Sequence, residues 1–506
     1  MMPESTQAPA GVTPQWRPQA NEVGARVRMY RVGFGDFFLV TLLDDQGGSV
    51  HIIIDCGVFK GTSQTGDIGS IEAAVADMVR TTEGRVALII MTHRHADHIA
   101  GFARFAAAFK ALEVDAVWMP IWESEYEPTA IKFQKELTRC ALGLRQHFAS
   151  LGDAASQAQS TAQSFMENAI GDTSNTGLAA TGSNALALEV LRGWKGASPE
   201  YYKAGDIPRL PQRLADLGLT CQILGPPPVA DLDLMKLMDL QKGVGQYLAV
   251  EDGGTPQSCQ PFGSEWEVDA GSGTDQLPIA YPAASFREWQ PRDQVAGPSA
   301  SASPTAQARA RMEEAIQQSL PTAALTAAKQ LNAFLNNQSL VALFAFKGKN
   351  LLFVGDAQAG NWEHWLFTTD VPDKQGTSDP SKAAQMVLAS LDFYKVGHHG
   401  SGNATPKAAA GLMGGRRVFA CMCSTEQGVY GLENPDDPSK GTEVPRIPLL
   451  EQLASEGALV RSDQIAVLAD PSTKTIDAPA PALAPLPKPA EGRRFERGPV
   501  WVDCFI

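Results

Sequence analysis

Short apolar runs closed by polar knots recur along both ends of the chain. Residues 27–32 read as a strand that runs into Gly33, Phe34, Gly35 and Asp36, and the strand pattern resumes over 37–43. Residues 50–54 form another, closed by Asp55, Cys56 and Gly57. Ser70 is placed to cap a helix over 71–80, where Ile71, Ala74, Val75, Met78 and Val79 recur at helical spacing. Residues 86–91 are apolar without interruption, the mark of a strand buried on both faces. Thr92, His93, Arg94, His95, Ala96, Asp97 and His98 follow directly, and 99–110 then reads as helical.

The middle is looser. Residues 111–335 are expected to form a large, mainly helical and loop insertion: Ala/Gln-rich helices over 130–168, long Gly/Pro/Ser/Ala loops over 252–310, and one core-like strand near 219–228. Regular structure returns at Ser339. Residues 339–346, 347–350 and 351–354 read as strand, turn and strand, ended by Gly355 and Asp356. A helix is expected over 362–367. A strand over 391–396 runs into His398, His399, Gly400 and Ser401, and further elements are expected over 418–423, 448–454 and 464–468. The pattern divides the chain into a tail (1–24), a first core half (25–110), the insertion (111–335), a second core half (336–470), and a Pro/Ala-rich linker with an apolar terminus at 500–506 that docks back on the body (471–506).

Composition narrows the function classes. With 506 residues, 44% hydrophobic and 19% charged, the chain can bury a sizeable core. A net charge of -14 argues against a protein that coats nucleic acid through a broad basic surface, but not against a local cleft that acts on phosphates. Seven scattered cysteines make no disulfide scaffold, so a reduced, cytoplasmic setting is expected. Cys421 and Cys423 alternate onto one strand face, which favours core packing over metal binding. No apolar run approaches the roughly 20 residues that span a bilayer, so no membrane partner is expected.

The polar knots carry the chemistry. His93, His95, Asp97 and His98, then Asp356, then His398 and His399 each follow an apolar run, and five of the eight histidines fall in two of the knots. Strand ends of an α/β sheet converge at one edge, where ligands bind. Imidazole and carboxylate suit Zn, Mn or Fe. Alternation lets His93 and His95 point together, Asp97 and His98 turn toward a second ion, and Asp356 can bridge the two. Asp55 either caps its turn or hydrogen-bonds a ligand histidine. Arg94 either faces solvent or touches an anionic substrate. The loop at Gly400, Ser401, Gly402 and Asn403 is either a plain turn or a phosphate contact.

These residues resemble the metallo-β-lactamase superfamily, with 93–98 matching its HxHxDH signature, Asp55 its first motif, Asp356 its bridging aspartate and the 398–399 pair its last metal histidine. Residues 32–36, 224–227, 336–340 and 395–401 are similar to the ComEC/Rec2-like branch, which usually has Gln in place of Phe34; the competence protein's membrane channel has no counterpart. The resemblance covers about 26–110 and 335–470. It implies a four-layer αββα sandwich with two divalent ions, Zn or Mn, at one edge. One ion would take His93, His95 and Asp356, with Asn337 or Ser339 near a vacant position, since the histidine many members carry in between has only His147 as a candidate here. The other would take Asp97, His98, Asp356 and one of the 398–399 pair, with His399 preferred and His398 left in the pocket.

The expected activity is that of a metal-dependent hydrolase, a phosphodiesterase or nuclease whose metal-bound hydroxide attacks phosphorus while Asp97 or His398 passes a proton to the leaving group. The substrate would be a phosphodiester, in nucleic acid or a small molecule. Two alternatives remain at this point: an ester, lactone or lactam hydrolase on the same fold, and a partner-binding effector or sensor in a bacterial conflict system that docks a protein through the insertion or the tail.

Overall fold

The computed structural model describes residues 24–59, 70–135, 137, 183–194, 196–235, 332–367, 380–415, 419–430, 443–463, 486–487 and 494–506. These build a mixed α/β protein with two sheets. The first sheet has eight strands: β1 (Ala25–Tyr30), β2 (Phe37–Leu43), β3 (Ser49–Cys56), β4 (Arg85–Ile90), β5 (Glu113–Pro120), β6 (Pro199–Tyr202), β13 (Arg494–Arg497) and β14 (Trp501–Phe505), in the order β13-β14-β1-β2-β3-β4-β5-β6. The second has six: β7 (Thr220–Gly225), β8 (Val341–Phe346), β9 (Lys349–Phe353), β10 (Phe393–Lys395), β11 (Ala420–Cys423) and β12 (Ala458–Arg461), in the order β12-β11-β10-β9-β8-β7.

Period-2 alternation decides how the sheets bury themselves. Phe38, Val40 and Leu42 of β2, Ile52 and Ile54 of β3, and Leu88 and Ile90 of β4 share one core with Leu351 and Phe353 of β9 and with Ala420 and Met422 of β11. The two sheets therefore pack face to face. The alternate residues point outward. Phe37, Leu39, Ile53 and Ile89 meet α1 (Ile71–Thr82), α2 (Ala96–Arg104) and α4 (Ser183–Arg192), beyond the short α3 (Ala106–Lys110). Leu352, Val354, Cys421 and Cys423 meet α5 (Ala359–Phe367), α6 (Lys382–Ala389) and α7 (Ile447–Glu456). Each of these large apolar side chains contributes roughly 1.5–3 kcal/mol by leaving water. The two thiols sit in a core, as their alternation predicts.

Both sheets change hand part-way. In the first, β14, β1, β2 and β3 pair antiparallel, while β3, β4, β5 and β6 pair parallel. In the second, β7, β8 and β9 pair antiparallel, while β9, β10, β11 and β12 pair parallel. The parallel halves collect the polar knots at their carboxyl ends.

Several expectations need revision. The single strand expected within 111–335 is present as β7, but β5 and β6 lie in that span too, and β5 pairs with β4 through five residues from Arg85 to Ile90. The reading missed β5 because Asp115 and Pro120 interrupt its apolar run. The helix expected over 99–110 begins at Ala96 and is broken at Phe105. Ser70 caps α1 as expected, its Oγ accepting from the Ala73 N–H at 3.0 Å. The docking terminus is β14, held on β1 by backbone pairing and by a buried ion pair between Arg28 and Asp503. His147, the helices expected over 138–168, the loops over 252–310, the strand over 464–468 and nearly all of the linker lie outside the described residues. Among the described residues, no helix is long and apolar enough to cross a membrane.

Candidate metal centre

Residues far apart in sequence meet because five parallel-half strands end side by side. β3 delivers Asp55, β4 the segment Thr92–His98, β9 Asp356, β10 Lys395 and the 398–399 pair, and β11 Ser424. The chain after β4 stays extended through His95, which occupies the cap position of α2 and puts Asp97 and His98 in its first turn. Gly57 makes this approach feasible. A Cβ there would lie 2.2 Å from the His98 nitrogen, so only glycine lets β3 and α2 come this close. The backbone at three of the site residues is left-handed: φ is 54° at Asp55, 45° at His398 and 54° at His399. Non-glycine residues hold such angles at a cost of about 1–3 kcal/mol each, typically at functional sites.

Asp97, His98, Asp356 and His399 each offer one ligand atom, and these atoms all lie within 4.8 Å of one another. His98 Nε2 is 3.0 Å from Asp356 Oδ2, and His399 Nε2 is 3.2 Å from Asp97 Oδ2 and 3.5 Å from Asp356 Oδ2. Ligands at about 2.0–2.2 Å in a tetrahedral site stand about 3.3–3.6 Å apart; the 3.5 Å separation falls in that range and the other two are slightly shorter, so an ion could enter with a small spreading of the group. His98 Nε2 and the Asp356 carboxylate are buried at ion-pair distance, and among the described residues they have no further hydrogen-bond partner, so a cation could take the place of the shared proton. His93 stands beside this group with Nε2 4.0 Å from Asp356 Oδ2 and 2.9 Å from His95 Nδ1. His398 Nε2 is 3.8 Å from the same oxygen. Asp356 Oδ2 thus faces four imidazoles, while its Oδ1 faces Lys395 Nζ at 3.6 Å.

The surrounding hydrogen bonds fix which ring nitrogens face inward. Asp55 accepts from the Thr92 N–H at 2.7 Å, the Thr92 hydroxyl at 2.6 Å and His98 Nδ1 at 2.8 Å. A proton held on His98 Nδ1 leaves the Nε2 lone pair for an ion. His399 Nδ1 donates to the Ser424 carbonyl at 2.9 Å, with the same result. Ser339 Oγ accepts from the Asp356 N–H at 3.0 Å and lies 3.4 Å from His93 Nδ1. Lys395 is fully buried, paired with Asp36, and donates to the Gly355 carbonyl at 2.9 Å.

Electrostatics divides the histidines. Burial lowers His93 well below the usual range and takes His95 down to about 4, so both rings are neutral at neutral pH. Burial also lowers His398. Burial would lower His98 too, but the carboxylates of Asp356, Asp36 and Asp55 outweigh it and hold the ring well above its ordinary value. His399 is raised against its burial in the same way, by Asp356 and Asp97. Burial disfavours charge on Asp97 and Asp356, yet the neighbouring imidazoles hold both below the usual carboxylate range. The cluster is a set of ionised carboxylates with converging imidazoles, and it could hold a metal ion.

No protein-family model matches this chain. No curated protein matches it either.

The geometry brings His93, His95, Asp97, His98, Asp356, His398 and His399 to one place, with His399 rather than His398 in the four-residue group. Asp55 serves both readings offered for it, closing the turn through Thr92 and orienting His98. Three of the candidate residues make other contacts in the structure. Arg94 does not reach toward a substrate: its Nε and Nη2 both donate to the buried Glu123 carboxylate at 2.6 Å, because Glu123 at the end of β5 needs a counter-charge. Asn337 is held structurally, donating to the Met235 carbonyl and accepting from the Asn361 N–H. The Ser401 hydroxyl donates to Asn403 Oδ1 at 2.9 Å. Asp97 is a poor proton donor because its carboxylate is kept ionised. Sequence reasoning assigned no role to Asp36, Lys395, Glu123, Asn336 or Gln358. Asp36 and Lys395 each stand beside a quoted knot, but nothing in a single sequence pairs them across 359 positions.

Proposed function

We propose that the chain is a metal-dependent hydrolase of phosphodiesters with a dinuclear site, belonging to the metallo-β-lactamase-like enzymes of the ComEC/Rec2 type. The reading rests on one observation above all: Asp356 Oδ2 lies 3.0–4.0 Å from His98, His399, His398 and His93, a placement that supports a carboxylate shared between two ions. The layering supports the αββα sandwich that the resemblance implies, since helices cover the outer face of each of two face-to-face sheets.

Asp97, His98, Asp356 and His399 would hold one divalent ion, Zn or Mn, and His93, His95 and Asp356 the other. When bound, such ions supply Lewis acidity and lower the pKa of water toward neutrality. The protein's own groups do the rest. His98 and His399 are locked in one orientation by Asp55 and Ser424. Lys395 holds Gly355 and faces Oδ1, leaving Oδ2 for the cluster. His398 is the one cluster imidazole with an appreciably exposed side chain, at 12%, so substrate approaches over it. With Gln358 Nε2 donating to its Nδ1 at 3.1 Å, the neutral ring carries its proton on Nε2 and hydrogen-bonds a phosphoryl or leaving-group oxygen there. Hydrolysis then adds water across one P–O bond, giving a monoester and an alcohol.

The test is turnover by Zn- and Mn-loaded protein of bis-p-nitrophenyl phosphate, plasmid, single-stranded DNA, RNA and nitrocefin, with Asp356→Ala and His95→Ala alongside. Phosphodiester cleavage lost in both variants is expected. Turnover of nitrocefin alone would transfer the site to lactam chemistry, and metal binding below one ion per chain would end the enzyme reading.

A further inference from the structure

The segment that carries His93 and His95 is tied to the middle of the chain by groups the metal cluster does not use. The chain is extended through His95, so successive side chains point to opposite sides. His93 and His95 turn one way, 2.9 Å from each other, with His93 Nε2 4.0 Å from Asp356 Oδ2. Arg94 turns the other way. Its Nε and Nη2 each donate at 2.6 Å to one oxygen of Glu123, a two-pronged pair that fixes direction as well as distance. Asn184, buried on α4, donates from Nδ2 to the Arg94 carbonyl at 2.7 Å. The side chain and the backbone of Arg94 are thus held by two different elements.

Each anchor is itself held. Glu123 is fully buried in the 3-10 turn Ile121–Glu123 that follows β5. Gln134 Nε2 donates to the carbonyls on either side of it, Trp122 at 2.8 Å and Ser124 at 3.2 Å. Arg192, on the same helix as Asn184, donates to the Glu123 carbonyl at 2.8 Å and stands 3.7 Å from its carboxylate. Apolar residues of similar volume often stabilise a core as well as a buried ion pair does. What the pair adds here is direction: an arginine pulled to one side of an extended segment turns its two neighbours to the other.

Resting on the dinuclear reading, we propose that Glu123 and Asn184 are positioning residues for the ion held by His93, His95 and Asp356, so that residues within 111–335 shape the site from outside its ligand set. The group of Asp97, His98, Asp356 and His399 has anchors of its own, since Asp55 orients His98 and the Ser424 carbonyl orients His399. Loss of the Arg94 anchors therefore weakens one ion and spares the other.

Stepwise calorimetric titration of the metal-free full chain with Mn tests this. Wild type should bind two ions. In Glu123→Gln and in Asn184→Ala one step should weaken by about 10–100-fold, as when a group that orients a metal ligand is removed, and the other should hold. His95→Ala identifies the step, because it should lose the same one. Asp503→Asn is the control for a purely structural role: it breaks the buried pair with Arg28 at the β1–β14 edge, and should lower stability in urea while keeping both steps. If Glu123→Gln does not fold, Asn184→Ala, which deletes one hydrogen bond and no charge, decides by the same criterion. Two unchanged steps in the folded variants, or two steps weakened equally, overturn the positioning role and leave the dinuclear reading intact. Fewer than two ions on wild type overturns both.

Discussion

Metal binding to this protein should compete with protons, and the structure says which ones. His98 and His399 sit above their ordinary value of 6.5 in the ion-free protein because the carboxylates of Asp356, Asp36, Asp55 and Asp97 surround them. A ligand imidazole must be neutral, so an ion entering the Asp97, His98, Asp356 and His399 group has to displace both protons. His93 and His95 have none to give at neutral pH, since burial has already removed them. The sign follows: a raised pKa means the apo site binds protons, protons oppose the metal, and affinity rises with pH until His98 and His399 are neutral without it. While both rings are protonated the slope of log K against pH approaches two, about 100-fold per pH unit or about 2.7 kcal/mol, and it falls as each ring loses its proton. Calorimetric Mn titrations at pH 6 and 7, in buffers of different ionisation enthalpy, count the protons directly. His399→Gln should cut the count by one. No proton release at pH 6, or an affinity that does not change between pH 6 and 7, would refute the ligand assignment.

Three other perturbations separate the parts of the site. Asp55→Ala removes the acceptor that orients His98 Nδ1 and should weaken metal binding by about 10–100-fold, read by chelator competition. Lys395→Met leaves Asp36 buried and unpaired; it should destabilise the fold by about 3–5 kcal/mol in urea unfolding, and Asp36→Asn in the same chain should restore much of the loss. Gly57→Ala places a Cβ 2.2 Å from the His98 nitrogen and should lower both the melting temperature and the metal stoichiometry, whereas Gly47→Ala, where a Cβ meets nothing within 4 Å, should keep the full metal complement.

The strands and the knots were legible because each is a local event. Alternation in 37–43 and the unbroken apolar run of 86–91 are set by which faces are buried, and a polar knot at a strand's end is visible without knowing what it meets. What could not be read is pairing at a distance. Asp36 and Lys395 are opposite charges that neutralise each other only because β2 and β10 end at the same edge of two different sheets. Arg94 looks available in sequence, since nothing near it calls for a counter-charge; Glu123 does, from the far end of β5. The interruption of β5 by Asp115 and Pro120 also hid the strand that carries this partner. Errors about the substrate side of the site and errors about the fold of 111–335 therefore had one origin.

Buried charge bears on how many ions the site takes. Four carboxylates, Asp36, Asp55, Asp97 and Asp356, are buried around the cluster with one ammonium, Lys395, which leaves three negative charges when the histidines are neutral. Arg94 and Glu123 cancel each other and do not enter the sum. Burial pushes Asp55 above the usual carboxylate value, and the hydrogen bonds it accepts from Thr92 and His98 oppose that shift, so the sum holds where Asp55 is ionised. One divalent ion would leave the pocket with a single negative charge, which repels an anion in a low-dielectric site. Two would leave a single positive charge before a bound water ionises and none after it, a pocket that admits a phosphodiester more readily than one ion would. The same sum explains why the ion-free site retains protons on His98 and His399: they are the nearest charges available to offset the carboxylates. If elemental analysis finds two ions per chain, the pocket is electrostatically matched to a singly charged substrate. If it finds one even in excess Mn or Zn, the phosphodiester reading loses its electrostatic support, and neutral carbonyl substrates become the better match.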